Sequence, residues 1–265
     1  MVIPENRPFA LFDDATWPDR PALLLSDSQG VVEARTADDV ARALDEIEAG
    51  VARGLIAAGT CAYELGYVFE KRLLPLLPET HGPLLRFHLF GAARRLSAGA
   101  RWRWLSERVQ GPVISGDAVA SLSASAHRAK FECVRQLIGD GDVYQVNLTF
   151  KLKGAASDPF ATYAALRTKA RAGACSFIRF DDEDVLSFSP EMFFRVKEGR
   201  IAARPMKGTL ARAGGIVEDE ARRHELLSDE KQRAENLMIV DLLRNDLSRV
   251  AAAGSVRVTD LFTVE

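Results

Sequence analysis

The chain has 265 residues, of which 47% are hydrophobic and 27% charged, and its formal net charge is −2. This is the composition of an ordinary globular chain with room for one large domain or a small and a medium one. The charge leaves no global basic field for nucleic acid, and no apolar run reaches the roughly 18 residues needed to span a bilayer.

In chain order, Met1 to Phe12 carries Pro4, Glu5, Asn6 and Arg7, without the basic start and apolar core of a signal peptide. Val40, Leu44, Ile47 and Val51 recur at spacings of three and four, which predicts a helix over Thr36 to Ala57. Residues 84–105 alternate around Phe87, Leu89, Trp102 and Trp104 and predict strands. The arginines Arg94, Arg95, Arg101 and Arg103 then fall on a solvated strand pair. Gln110 to Ser125, rich in Gly, Ser, Ala and Val around Pro112, is a connector. The expected division is a region 1–110 and a second region 118–265.

Beyond the connector, Ser125 to Gly139 predicts a helix capped by Ser125, and Gly139 to Asp142 a turn. Val143 to Leu152 alternates and predicts a strand; Pro159 to Ala172 predicts a helix. Short strands follow at Ser176–Phe180, Asp184–Ser189, Met192–Glu198 and Arg200–Ala203. Glu218 to Val250 holds one or two helices, with Asp229 and Gln232 spaced as a capping box, and Ser255 to Val258 is a last strand. Strands and helices without regular βαβ alternation indicate an α+β class. Cys61, Cys133 and Cys175 are widely spaced and form neither a metal pattern nor a disulfide framework. Buried, inert thiols in a reducing cytoplasm are expected, and His224, in a charged helix, is expected at the surface.

Four segments place polar groups where a strand or helix would otherwise be plain. In Gly141 to Thr149, Gln145 and Asn147 share one face of the predicted strand, either as a site or as the solvated face of an edge strand. In Ser187 to Phe194, Glu191 follows Pro190 among Phe188, Met192, Phe193 and Phe194. It is either a desolvated general acid with a raised pKa or an exposed turn residue. In Arg204 to Leu210, Lys207 precedes Gly208, which permits close backbone approach to a ligand; it is either a nucleophile or a surface lysine. In Arg233 to Leu247, Glu235 sits toward a helix N-terminus, either compensating the dipole or offering an oxygen to Mg²⁺.

The strings GDVYQVNLT, SFSPEMFF, RPMKGT and RAENLMIVDLLRNDLSRV, in this order and spacing, resemble the chorismate-binding enzyme family. That family includes anthranilate, aminodeoxychorismate, isochorismate and salicylate synthases. The resemblance covers about 118–265. Residues 8–80, with PFALFDD and GTCAYELGYVFE, more loosely resemble the N-terminal region of aminodeoxychorismate-forming component I chains. Hydrolytic members carry a lysine where Gln145 stands, and anthranilate-forming members an alanine where Lys207 stands.

The resemblance therefore implies amination of chorismate at C4 to 4-amino-4-deoxychorismate, toward para-aminobenzoate and folate. The alternatives are anthranilate formation or a non-catalytic chorismate-binding remnant. The implied fold is two packed antiparallel β-sheets with outer helices, incomplete at the C-terminus. The implied roles are Lys207 as nucleophile, Glu191 as general acid, and Gln145, Gly208 and Thr209 in substrate binding. Glu235 is the implied ligand of Mg²⁺, and ammonia comes from a glutamine amidotransferase subunit. A fused aminodeoxychorismate lyase domain is a further expectation. The family's later Thr-Gly-Ala-Pro-Lys segment, carboxylate-clamping arginine and second set of metal-binding glutamates do not occur before Glu265. The chain is thus expected to be a fragment of a longer product, poorly soluble or inactive alone.

Overall fold

Alternating apolar residues lay down the first strands of the computed structural model, which describes residues 7–79, 82–113, 116–155 and 158–264. β1 (Phe9–Asp13) and the long β2 (Ala22–Ala34) lead into α1 (Ala37–Ala52). Asp39 closes the start of α1 by accepting from the backbone N–H and the hydroxyl of Thr36 at 3.1 and 2.7 Å. β3 (Ile56–Cys61), a short α2 (Leu65–Phe69), β4 (Leu85–Leu96) and α3 (Ala98–Ser106) follow. Then come β5 (Val119–Ala120), α4 (Ala124–Gly139), β6 (Leu152–Lys153) and α5 (Pro159–Ala170). β7 (Ala174–Arg179), β8 (Asp184–Ser189), β9 (Met192–Lys197) and β10 (Arg200–Arg204) precede α6 (Ile216–Ser228) and α7 (Glu230–Ser248).

Six strands form one antiparallel sheet in the order β3-β4-β2-β1-β7-β8, while β9–β10 and β5–β6 are two-stranded ribbons. The class is α+β with antiparallel sheets and outer helices. The sheet draws on both sides of the 110–118 connector, since β1 pairs with β2 on one side and with β7 on the other. The period-two rule sorts the core. Phe9 and Leu11 face Trp104 and Leu105 of α3 and Phe160 and Tyr163 of α5. Ala10 faces the opposite side with Leu25, Phe90, Ile178 and Phe180. α1 covers a third cluster, in which Val40 and Ala43 meet Val32, Leu85 and Leu89.

Several sequence expectations change. Residues 84–105 are a strand only to Leu96. Ser97 then accepts from Ala100 N–H at 3.3 Å and starts α3, whose packed side carries Arg101, Trp104 and Leu105 into the core. Arg101 is accordingly fully buried, not solvated: it donates to Asp13 Oδ1 at 3.0 Å and to the carbonyls of Arg20 and Pro18. Of Val143–Leu152, only Leu152 joins a ladder, opposite Ala120; no strand forms over the rest or over Ser255–Val258. α4 is capped by Ser123, not Ser125, through Ala126 N–H at 3.2 Å. Asp229 ends α6 and caps α7 through Gln232 N–H at 2.8 Å, so Glu218–Val250 is two helices. Cys175 is buried, but Cys61, at the end of edge strand β3, and Cys133, on α4, are exposed. No helix among the described residues is long and apolar enough to cross a membrane.

Candidate active site

Pro190 cannot donate to a ladder and breaks the chain between β8 and β9. The break is held locally: Ser189 Oγ accepts from Glu191 N–H at 3.2 Å and donates to Glu191 O at 3.0 Å. β9 then pairs antiparallel with β10, with an irregularity that sets Arg204 opposite Met192. This register carries the Arg204–Thr209 segment back past Glu191, whose Oε1 accepts from Met206 N–H at 3.1 Å. Glu191 and the residue beside Lys207 are thereby joined directly.

Gly208 turns the same segment with φ +81°, a conformation costly for residues with a Cβ. A Cβ placed there would lie 2.8 Å from Gln232 Oε1 and 3.2 Å from Leu226 Cδ1. The loop is thus seated where α6 ends and α7 begins. Glu235 lies three residues beyond Gln232 on α7, one turn along the same side. Its carboxylate is 3.9 Å from Lys231 Nζ. Dipole compensation is a first-turn effect, and Glu230 is the acid in the first turn of α7. Glu235 lies past that turn, which weakens the dipole reading.

The structure therefore joins Glu191 to the backbone beside Lys207 and seats Gly208 against Gln232 at the start of α7, with Glu235 one turn further along that helix; Thr209 is the exposed end of the loop. Gln145 is held otherwise. Its Nε2 donates to Asn147 Oδ1 at 3.4 Å, and its Oε1 is buried without a hydrogen-bond partner. The apolar enclosure expected around Glu191 is not formed. Glu191 is exposed, Phe193 and Phe194 are 81% and 52% exposed, and no residue of β9 or β10 is buried. The reason is that a two-stranded ribbon offers two faces and here packs neither into the core. The desolvation argument for Glu191 consequently has no support in this structure.

Sequence reading missed Met206 and Leu226 and used Gln232 only as part of a cap. The available signal was glycine after Lys207, which marks a backbone that must be pressed against something. Among the described residues no group of three or more Asp, Glu, His or Cys gathers to hold a metal ion. Mg²⁺ commonly takes one or two carboxylates and completes its shell with water and substrate oxygens. Glu235, half-buried and without a short ion pair, fits as one such ligand.

A separate cleft of about 330 Å³ lies between the end of α3, the start of α5 and the β7–β8 turn. None of the residues singled out above lines it. Its polar groups already hold the fold: Asp158 accepts from the N–H groups of Gln110, Gly111 and Ala161, and Asp184 pairs with Arg179 at 2.8 Å. The candidate site is therefore placed at the β8–β9 break and the Lys207 loop, where Glu191 Oε1 meets the backbone beside Lys207.

Comparison with known proteins bears on the family and the fold. The family described as chorismate binding enzyme matches residues 8–265. Aminodeoxychorismate synthase component 1 of Klebsiella aerogenes is 43% identical over 147 residues, covering 55% of this chain and 33% of the relative. That of Escherichia coli (strain K12) is 39% identical over 229 residues, covering 79% of this chain and 50% of the relative. Anthranilate synthase component 1 of Aquifex aeolicus (strain VF5) is 42% identical over 132 residues, covering 49% and 27%. The chain thus spans between about a quarter and a half of the length of these relatives. Among solved structures, anthranilate synthase component I from Streptococcus pneumoniae TIGR4 shares the fold with a TM-score of 0.73 at 22% identity, over 92% of this chain and 65% of that one. With a family match over nearly the whole sequence and a shared fold, the chain belongs to the chorismate binding enzyme family.

Proposed function

We propose that this chain carries the amination of chorismate at C4, giving 4-amino-4-deoxychorismate. The observation that carries the reading is the hydrogen bond from Met206 N–H to Glu191 Oε1, which sets an acid beside the loop of a lysine. Relatives named aminodeoxychorismate synthase support the same choice.

The C4 hydroxyl is a poor leaving group, so its oxygen must gain a proton as it departs. Glu191 gives that proton and the oxygen leaves as water. The Lys207 amine forms a bond to C2 as both conjugated ring double bonds shift, C1=C2 to C1=C6 and C5=C6 to C4=C5, and the C4–O bond breaks. Ammonia then attacks C4, both double bonds shift back, and the C2–N bond breaks to return the lysine amine. Two allylic displacements replace one harder substitution. Gln145 takes part as a substrate contact: its amide is no base at neutral pH, and its partnerless buried Oε1 suits a substrate hydroxyl. Gly208 N–H and the Thr209 hydroxyl donate to a substrate carboxylate in this reading. Mg²⁺, with Glu235 as one ligand, supplies positive charge against the ring carboxylate when bound. Ammonia comes from a glutamine amidotransferase partner, and the site of action is the cytoplasm. A fused lyase domain would carry the next step, elimination from the aminated product.

The test is product chromatography after incubation of the complete enzyme with chorismate, ammonium and Mg²⁺. The expected product is the C4 amine. Glu191→Gln is expected to lower its rate by roughly 100- to 10,000-fold, the range for losing a positioned acid. Lys207→Ala is expected to weaken C4 amination and divert product toward anthranilate. An unchanged rate in Lys207→Ala removes Lys207 from the mechanism.

A further inference from the structure

Glu191 does more in this geometry than hold a proton. It is exposed and sits just past the end of β8, yet one of its oxygens is spent on a backbone donor fifteen residues ahead, Met206 N–H. Its own backbone is fixed on both sides by Ser189 Oγ, so the carboxyl group starts from a defined place. On the far side of Lys207, Gly208 is pressed against Gln232 and Leu226 in its left-handed conformation. Gln232 is itself fixed through its N–H to Asp229. Lys207 therefore sits between two anchored neighbours, one held by the β8–β9 break and the other by the α6–α7 junction.

We propose that Glu191 is a positioning residue for Lys207, its Oε1 holding Met206 N–H so that the loop presents the lysine amine in one orientation. The inference rests on the reading above for the chemical part played by Lys207. It divides the carboxyl group: Oε1 belongs to the loop, and Oε2 is the oxygen left free to carry a proton. A hydrogen bond to an ionised oxygen is the stronger one. The loop is thus held tightest once Glu191 has given its proton away, when the lysine adduct needs to be kept in place for ammonia.

The experiment uses the 265-residue chain and requires no turnover. Amide exchange at Met206 is measured in the parent, Glu191→Ala and Glu191→Gln, with acylation of Lys207 by acetic anhydride followed by mass spectrometry in the same samples. Glu191→Ala is expected to speed Met206 exchange about tenfold, the loss of one hydrogen bond to a charged acceptor. It should change the extent of Lys207 acylation in step. Glu191→Gln keeps an acceptor oxygen and is expected to restore both. Because Glu191 is exposed, the unfolding midpoint should stay constant across the three chains. Parent-like Met206 exchange in Glu191→Ala overturns the proposal. So does exchange in Glu191→Gln as fast as in Glu191→Ala, which would assign the effect to charge alone. Loosening of Met206 with unaltered Lys207 acylation overturns it as well. Turnover by Glu191→Gln judges the acid separately, so failure of one is distinguishable from failure of the other.

Discussion

One carboxylate, Asp13, holds two arginines inside the protein. Its side chain is fully buried and so is that of Arg101, while Arg167 is nearly so. Arg101 donates to Asp13 Oδ1, and Arg167 donates to both oxygens of the same group. Further guanidinium donors go to the carbonyls of Asp14, Pro18 and Arg20, while Arg101 Nε is buried without a hydrogen-bond partner. Burial first, and then the Asp13 charge, push the neighbouring Tyr163 phenol well up, so it stays neutral. Removing one partner of such a cluster leaves buried charge uncompensated. Asp13→Ala is therefore expected to cost about 3–5 kcal/mol, read as a lower urea midpoint with an unchanged slope. The exposed pair Asp241–Arg244 on α7 is the control: Arg244→Ala should barely move the midpoint. A midpoint equally insensitive to Asp13→Ala would show that the cluster is not held by its charges. None of this was legible in the sequence. Asp13 is separated from Arg101 by 88 positions and from Arg167 by 154, and no local pattern links them. The arginine cluster around Arg101 instead read as a solvated strand, because adjacent charges usually are.

The helices were legible from apolar spacing, though not their ends: α1 stops at Ala52, short of the expected Ala57, because β3 begins at Ile56, and α4 is capped by Ser123, not Ser125. Asp229 was found as a cap because its spacing to Gln232 is a local matter. Failures of type came where alternation alone spoke. Trp102 and Trp104 alternate like a strand, yet only Trp104 is deeply buried, on a helix that Ser97 starts. Val143 to Lys151 alternates too, but alternation forms a strand only beside a partner, and β5 supplies one that reaches no further than Leu152. The site was legible as four motifs, but not the Met206 hydrogen bond that joins two of them, since it depends on the β9–β10 register. Sheet closeness gives a sharp test at this scale. Gly59 on β3 faces Phe87 on β4, and a Cβ there would fall 2.0 Å from the Arg86 carbonyl oxygen. That neighbour is backbone and cannot rotate aside. Gly59→Ala is expected to cost about 3 kcal/mol, the upper end for overpacking. Gly30→Ala, where a Cβ meets nothing within 4 Å, is expected to stay within about 0.5 kcal/mol. Thermal unfolding of the two variants side by side checks this, and equal midpoints would mean that β3 shifts freely against β4.

Across the whole molecule, burial is unevenly shared. The accessible surface is 18676 Å² for a 29.1 kDa chain, whereas the size scaling of folded monomers gives about 11,000 Å². The excess is not spread over the fold. Among the described residues, every buried one lies between Phe9 and Arg108 or between Phe160 and Phe180. The described residues of α4, β9, β10, α6 and α7 include none. Those elements expose Phe193, Ile216 and Val217 at 81%, 91% and 80%. A helix with no buried face draws its stability from propensity and caps, and these are marginal at the lengths of α6 and α7. The six-stranded sheet, in contrast, has β1 paired on both edges and three apolar clusters around it. Local opening follows burial, so amides of β1, β2 and β7 are expected to exchange only with global unfolding. Amides of α4, α6 and α7 should exchange at least 100-fold faster, a difference on the order of 3 kcal/mol in opening free energy. On heating, the helical circular dichroism signal should begin to fall before the fluorescence of buried Trp104 changes, because the two probes report regions of different stability. Coincident transitions, with α6 and α7 protected like β1, would contradict this division. The consequence for the site is direct. Glu191, Lys207 and Glu235 all belong to the part with no buried residue, so their geometry depends on individual hydrogen bonds such as Met206 N–H to Glu191.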